Sequence, residues 1–241
     1  SFCYVLKRKM NKNNIALIIG GTGSIGSAIA EELEGLGFSN IVKLSRSSNP
    51  KIELTDEHSI EEASTVIKKT GTPISLLINA TGILHAEDNN QMPEKTYKNI
   101  DLSFMKKNFE INTYGPALLM KYFLPLLDCE EESVFVSLSA KVGSIEDNKY
   151  GGWYSYRASK AALNQLIKTA SIELKVKNKK AICVSIHPGT VTSKLSKPFQ
   201  KSDLKIQLPN ESAKNILKVV SNLKPEDTGT FFNWNGEKIP W

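Results

Sequence analysis

The chain has 241 residues, 40% of them hydrophobic and 23% charged, which suits one α/β domain with a sizeable core. Lys and Arg number 31 against 25 Asp and Glu, a net charge of +6 spread without an aromatic-interleaved basic stripe, so the balance argues against nucleic acid and suits an anionic small molecule. No apolar run approaches the ~18 residues that cross a bilayer, so a membrane partner is not expected.

At the N-terminus, Phe2–Leu6 is followed by Lys7-Arg8-Lys9, the reverse order of a secretory signal. Residues 1–13 therefore read as an extension, with Met10 an alternative start, and residues 14–241 as the domain. Cys3, Cys129 and Cys183 are odd in number and widely spaced, which points to a reducing, cytoplasmic setting. His58, His85 and His187 lack metal-ligand spacing, and no metal is expected.

Ile15–Ile19 is a short apolar run ending at Gly20-Gly21, the pattern of a strand buried on both faces. Gly21-Thr22-Gly23-Ser24-Ile25-Gly26 follows as a G-x-G-x-x-G and opens a helix to about Gly35. Such glycines let the backbone turn tightly and approach a pyrophosphate, whose charge then sits at a helix N-terminus. Gly20, Gly21, Gly23, Ser24, Ile25 and Gly26 are the candidate phosphate cradle. A second strand, Asn40–Leu44, ends in Ser45-Arg46-Ser47-Ser48. An acid at this strand end would bond both ribose hydroxyls of NAD, whereas Arg accommodates a 2′-phosphate. Arg46 with no adjacent acid makes NADP(H) the preferred cofactor, with NAD(H) the alternative.

Ser59–Lys69 has helical periodicity, and Ile74–Ile78 is a third buried strand ending in Asn79-Ala80-Thr81-Gly82. Strand–helix alternation implies a parallel sheet with ligands beyond the strands' carboxyl ends, where Asn79 and Ala80 stand. Residues 85–100 read as a loop. Phe104–Leu127 reads as one long helix holding Asn112 and bent at Gly115-Pro116. Val134–Ser139 is the next strand, Ala181–Ile186 another, capped by His187-Pro188-Gly189-Thr190-Val191. Residues 194–210 read as a mobile segment over the cleft. Ser212–Asn222 is the last helix and Gly229–Asn233 the last strand.

Between these strands lies Tyr156-Arg157-Ala158-Ser159-Lys160, opening a helix that runs to Lys179. Tyr156 and Lys160 are i and i+4, so both project from one face. A neighbouring ammonium favours phenolate, and bringing a Tyr from about 10 to near neutrality takes roughly 4 kcal/mol. A Tyr so tuned exchanges a proton at working pH.

Together these motifs resemble the short-chain dehydrogenase/reductase family from Ile15 to the C-terminus, within it the C-factor-like and sniffer-type carbonyl reductases. The resemblance implies a single-domain Rossmann fold, a doubly wound parallel sheet of about seven strands flanked by helices. It implies Tyr156 as acid/base, Lys160 as the group that lowers its pKa and holds the nicotinamide ribose, and Asn112 as holder of a relay water. Asn79–Gly82 matches the family's N-x-x-G turn. Pro188, Gly189, Val191 and Ser193 match its P-G-x-V-x-T segment along the nicotinamide. Two departures stand out: Ser24 replaces the middle glycine of the family's loop, and Ala140 occupies the usual catalytic Ser position. Either Ser139 serves through a strand-end bulge, or Ser144 or a water replaces it.

The implied activity is NADPH-dependent reduction of a small-molecule carbonyl, or oxidation of a secondary alcohol. The alternative is a nucleotide-binding signalling protein of the C-factor type with weak or no catalysis, for which Ala140 speaks. Trp153, Tyr154, His85 and Phe199 are candidate pocket walls. Phe104–Leu127 and Arg157–Lys179 match the family's dimerisation helices, implying a homodimer or homotetramer.

Overall fold

The computed structural model describes residues 10–85, 91–192 and 206–241. Its strands are β1 (Ile15–Ile19), β2 (Ile41–Leu44), β3 (Ile74–Asn79), β4 (Ser133–Leu138), β5 (Ala181–His187), β6 (Thr190–Val191), β7 (Ile206–Gln207) and β8 (Phe231–Asn233). Six of them form one sheet in the order β2-β1-β3-β4-β5-β8, and every neighbouring pair is parallel. The helices are α1 (Ser24–Gly35), α2 (Glu57–Lys69), α3 (Leu102–Phe109), α4 (Gly115–Phe123), α5 (Tyr154–Lys177) and α6 (Pro209–Asn222).

Burial on both faces explains the unbroken apolar strands. Residues 15–19 of β1 are all buried. Alternate side chains take opposite faces. Ile18, Ile78, Val136 and Val184 meet Ile29 and Leu33 of α1 and Ile216 and Leu217 of α6. Leu17, Leu77, Phe135 and Cys183 meet Ile60 of α2, Phe123 of α4, and Leu163 and Ile167 of α5. Each such buried aliphatic or aromatic side chain contributes roughly 1.5–3 kcal/mol, so the two apolar layers hold the sheet between them.

Among the described residues the main sheet has six strands rather than the expected number of about seven. After β2 the chain turns through Ser45–Ser48, and Ile52 N–H reaches the Ser45 carbonyl at 3.0 Å. Nearby Pro50 has no N–H to give a ladder, and no strand forms along this edge. β6 and β7 pair with each other in a separate two-stranded sheet.

The helix expected over Phe104–Leu127 runs from Leu102 to Leu126 but changes pitch within it. Glu110–Tyr114 is a π turn, closed by Gly115 N–H onto the Glu110 carbonyl, and Leu124–Leu126 is a 3₁₀ turn. The N–H that would close an α turn onto the Asn112 carbonyl belongs to position 116, and proline has none. Gly115 is tied to its place sterically, since a Cβ there would lie 2.6 Å from the Leu54 Cβ.

Candidate active site

The chain leaves β1 for β2 on one side and returns to β3 on the other, so a crevice opens beyond the ends of β1 and β3. A cleft of about 660 Å³ fills it, lined by Gly20, Thr22 and Gly23, by Ser45, Arg46 and Ser47, and by Ala80–Ile83. The glycine turn is built for close approach. Gly20 has φ +79°, and a Cβ on Gly26 would stand 2.3 Å from the Gly20 carbonyl oxygen. A Cβ on Gly21 would meet the Lys43 Cβ at 2.7 Å. Ser24 and Ile25 begin α1, whose first turn carries no acidic residue and no side-chain cap. Its N-terminal N–H groups and dipole are therefore free to face an anion. Arg46 is exposed at the rim beside Ser45 and Ser47, whose hydroxyl oxygens lie 3.1 Å apart. This glycine cradle at a helix N-terminus, opening onto a cleft, fits a dinucleotide of the NAD(P) type.

Tyr156 and Lys160 lie on the inner face of α5, 8% and 3% exposed. The Lys160 Nζ sits 5.9 Å from the centre of the Tyr156 ring and donates to the Leu138 carbonyl at 3.1 Å. Asn112 stands beside them. Its Oδ1 accepts from Ile83 N–H at 2.8 Å, and its Nδ2 donates to the Ile83 carbonyl at 2.9 Å and to Ser159 Oγ at 3.1 Å. Thr113 Oγ1 donates to the Ser159 carbonyl, so the π turn is fastened to α5 by two neighbouring residues. Two glycines admit Lys160. A Cβ at Gly82 would meet its Nζ at 3.2 Å and Asn112 Oδ1 at 3.3 Å, and one at Gly143 would meet the Lys160 Cβ at 2.7 Å.

Asn79 supports the end of β3. Its Nδ2 donates to Ser137 Oγ at 3.0 Å, while Oδ1 accepts from Thr81 N–H and Oγ1. Ala140 packs against Tyr156 and Leu84 in one small apolar cluster. Ser139 is 4% exposed, its N–H bonded to the Ile186 carbonyl and its Oγ without a hydrogen-bond partner among the described residues. Ser144 lies elsewhere, its hydroxyl bonded to the Trp241 carbonyl and to Asp147 N–H.

Across the site, the Pro188 carbonyl accepts from Ser212 Oγ at 2.9 Å and from Gln207 Nε2 at 3.4 Å. Gly189 has φ +84°, and Gln207 occupies the space a side chain would need. Val191 is buried in β6. Ser193 and Phe199 lie outside the described residues, as does most of the segment 194–210. Within that segment Ile206–Gln207 is strand β7, and Pro209 begins α6.

The electrostatics differ from the expectation of a phenol lowered by its lysine. Burial pushes the Tyr156 phenol above its ordinary value and lowers the Lys160 ammonium to about 8. Both charged forms lose hydration in this pocket, and at 5.9 Å from the ring the ammonium does not offset that loss. His187 is held down to about 4, by burial first and then by Lys141 and Lys160, with Asp147 acting the other way.

Sequence patterns gave no sign of Glu94. It is 3% exposed, and its carboxylate accepts from the backbone N–H of Ser155 at 3.2 and 3.3 Å and closely from the Ser155 hydroxyl. Its carbonyl also accepts from Trp153 N–H. α5 has no cap of its own, since Trp153 at its N-cap takes a left-handed φ of 54° after Gly151 and Gly152. Glu94 is the surrogate cap of the helix that carries Tyr156.

Fold and site together define a nucleotide-dependent oxidoreductase of the Rossmann type. The family model for short chain dehydrogenases matches residues 14–204, and the chain belongs to that family. Among curated relatives, the C-signal of Myxococcus xanthus is 32% identical over 142 residues, covering 59% of this chain and 81% of that one. An NADPH-bound carbonyl reductase from chicken fatty liver superposes with a TM-score of 0.84 at 26% identity, covering 98% of each chain. The carbonyl reductase Sniffer of D. melanogaster has the same fold, with a TM-score of 0.80 at 23% identity over 95% of this chain and 99% of that one. The C-signal match fits the C-factor-like branch, and the family together with its NADPH-bound neighbour supports a cofactor of the NAD(P) type.

Proposed function

We propose that the chain, through its 14–241 domain, catalyses NADPH-dependent reduction of a small-molecule carbonyl, or the reverse oxidation of a secondary alcohol. The observation that carries this reading is the convergence of Tyr156, Lys160 and Asn112 beside a glycine-lined cleft. Bound NADPH supplies the hydride. Tyr156 gives its phenolic proton to the carbonyl oxygen as hydride arrives, and its raised pKa keeps that proton in place at neutral pH. Lys160, near 8, is largely ammonium at pH 7 and has donors to spare for the nicotinamide ribose. Asn112 has both amide groups engaged with Ile83 and Ser159, which leaves its backbone carbonyl, opposite Pro116, for a relay water. Gly20, Gly21, Gly23, Ser24, Ile25 and Gly26 cradle the pyrophosphate. Arg46 takes the 2′-phosphate, with Asn79, Ala80, Pro188, Gly189, Val191 and Ser193 along the nicotinamide half.

Tyr156→Phe tests the reading. Hydride transfer, followed by NADPH absorbance on a panel of aldehydes, ketones and quinones, should fall by about 10²–10⁴-fold. NADPH binding by fluorescence titration should persist; unchanged turnover would end the proposal.

A second reading has its own observation. Ala140 presents a methyl group to Tyr156 where the family has a hydroxyl, and C-signal is among the relatives. On that reading the chain binds nucleotide and signals. Tight NADPH binding with no turnover on any carbonyl in the panel would favour it.

A further inference from the structure

The sheet face beneath α5 changes character along the strands. Leu77, Phe135 and Cys183 form an apolar row across β3, β4 and β5, in register and buried. Two residues further on, the next row is Asn79, Ser137 and Ser185, also in register. Two further still, Ser139 stands beside the end of β5, its N–H on the Ile186 carbonyl, with His187 next in the chain.

α5 covers these rows running the opposite way. Lys160 reaches the Leu138 carbonyl at 3.1 Å, and Ile167 offers its carbonyl to Cys183 Sγ at 4.0 Å. Four helical residues rise about 6 Å and two strand residues about 6.6 Å, so the levels match. Asn164 therefore lies opposite Ser185, one turn below Lys160, and His187 lies at the level of Lys160.

This seam is polar but unpaired. Asn164 is 3% exposed, and neither its Nδ2 nor its Oδ1 has a partner among the described residues. Ser185 Oγ, at a fully buried residue, Ser139 Oγ and His187 Nδ1 also have none among these residues. An interior amide with both ends unbonded is among the larger penalties a fold can carry, and such groups are met by protein or by ordered water. Asn79 and Ser137, in the same row, bond each other, so Ser185 Oγ is the hydroxyl of that row left without a partner among the described residues.

We propose that the seam between α5 and the ends of β4 and β5 is an internal water site, held by Asn164, Ser185, Ser139 and His187 and continuous with the ammonium of Lys160. A buried water makes about three hydrogen bonds, so the five orphaned atoms and Lys160 call for about two waters. One ammonium proton of Lys160 is committed to Leu138, and the seam water takes another. The site is distinct from a water on the Asn112 carbonyl, which lies on the π turn. Asn164 is then a positioning residue, acting on Lys160 through water. Among the described residues, Tyr156 faces Lys160 from its own helix and His187 interacts with it from β5, while Lys141 and Asp147 after β4 act on His187. Water in the seam favours the ammonium against the burial that lowers it.

The first test is a high-resolution crystal structure of the full chain, which needs no variant and no substrate. Water density within hydrogen-bond reach of the Asn164 amide and Ser185 hydroxyl is expected. A dry seam, or Asn164 bonded directly to Ser185 or His187, overturns the proposal. The second test rests on the carbonyl-reductase reading and compares alkaline limbs of the kcat pH profile. Asn164→Leu, of similar size and without hydrogen bonds, should move that limb down by about one unit. Asn164→Ser, which keeps a hydroxyl and leaves room for another water, should keep it in place. An unmoved limb in Asn164→Leu overturns the link to Lys160. Absence of turnover in the unsubstituted protein would count against the reductase reading alone, since the density decides the water site by itself.

Discussion

His187 illustrates how one residue can write its environment into the stability of the whole chain. Its folded value near 4 lies below the ordinary 6.5, so between those values the unfolded chain binds a proton that the folded one refuses. Stability should therefore fall as pH drops from about 6.5 to 4, by up to about 3 kcal/mol. Urea unfolding at both ends of that window checks it, and His187→Gln should flatten the slope. Lys160 acts over a different window. Its lowered value makes the fold gain stability as pH rises from about 8 towards 10.5, where the unfolded lysine is still charged. Arg46 is the other residue with a sharp consequence. Arg46→Ala should weaken NADPH binding about tenfold to a hundredfold and leave NADH nearly unchanged, read by fluorescence titration of both. Equal loss for the two cofactors would remove Arg46 from the 2′-phosphate.

Elements matter here chiefly at their ends. α5 begins without its own cap, after Gly151, Gly152 and a left-handed Trp153, and borrows a carboxylate from Glu94 in the preceding loop. Glu94→Ala should cost about 1–2 kcal/mol in urea unfolding, and Glu94→Gln, which keeps an acceptor, clearly less. Because Ser155 adjoins Tyr156, the alanine variant should also lose kcat more than it raises KM. The π turn at Glu110–Tyr114 is the second such end, where Pro116 and Gly115 interrupt the α ladder beside Asn112. That interruption was legible as a bend from Gly115-Pro116, while its π pitch was not. Pitch depends on what Leu54 and Ser159 allow from outside the helix.

For the whole molecule, the long helices also carry apolar residues that stand exposed among the described residues. Leu102 and Tyr114 on the α3–α4 side and Ile172 and Val176 on α5 are 56–80% exposed. The chain is expected to self-associate through them as a homodimer or homotetramer, visible by light scattering. Ile172→Glu with Val176→Glu should give a monomer, whereas an unchanged mass would place the interface elsewhere. The parallel sheet, the glycine turn and the Tyr156–Lys160 face followed from local patterns, because burial on both faces and helical spacing leave a direct mark on sequence. The strand number did not, since an edge strand forms or fails by what its neighbour offers. Glu94 and Ser155 are 61 residues apart, and no local pattern announces such a bond. The protonation of Tyr156 and Lys160 was equally out of reach. Their spacing is a property of the chain, but burial sets their charge, and burial exists only once α5 has closed over the sheet.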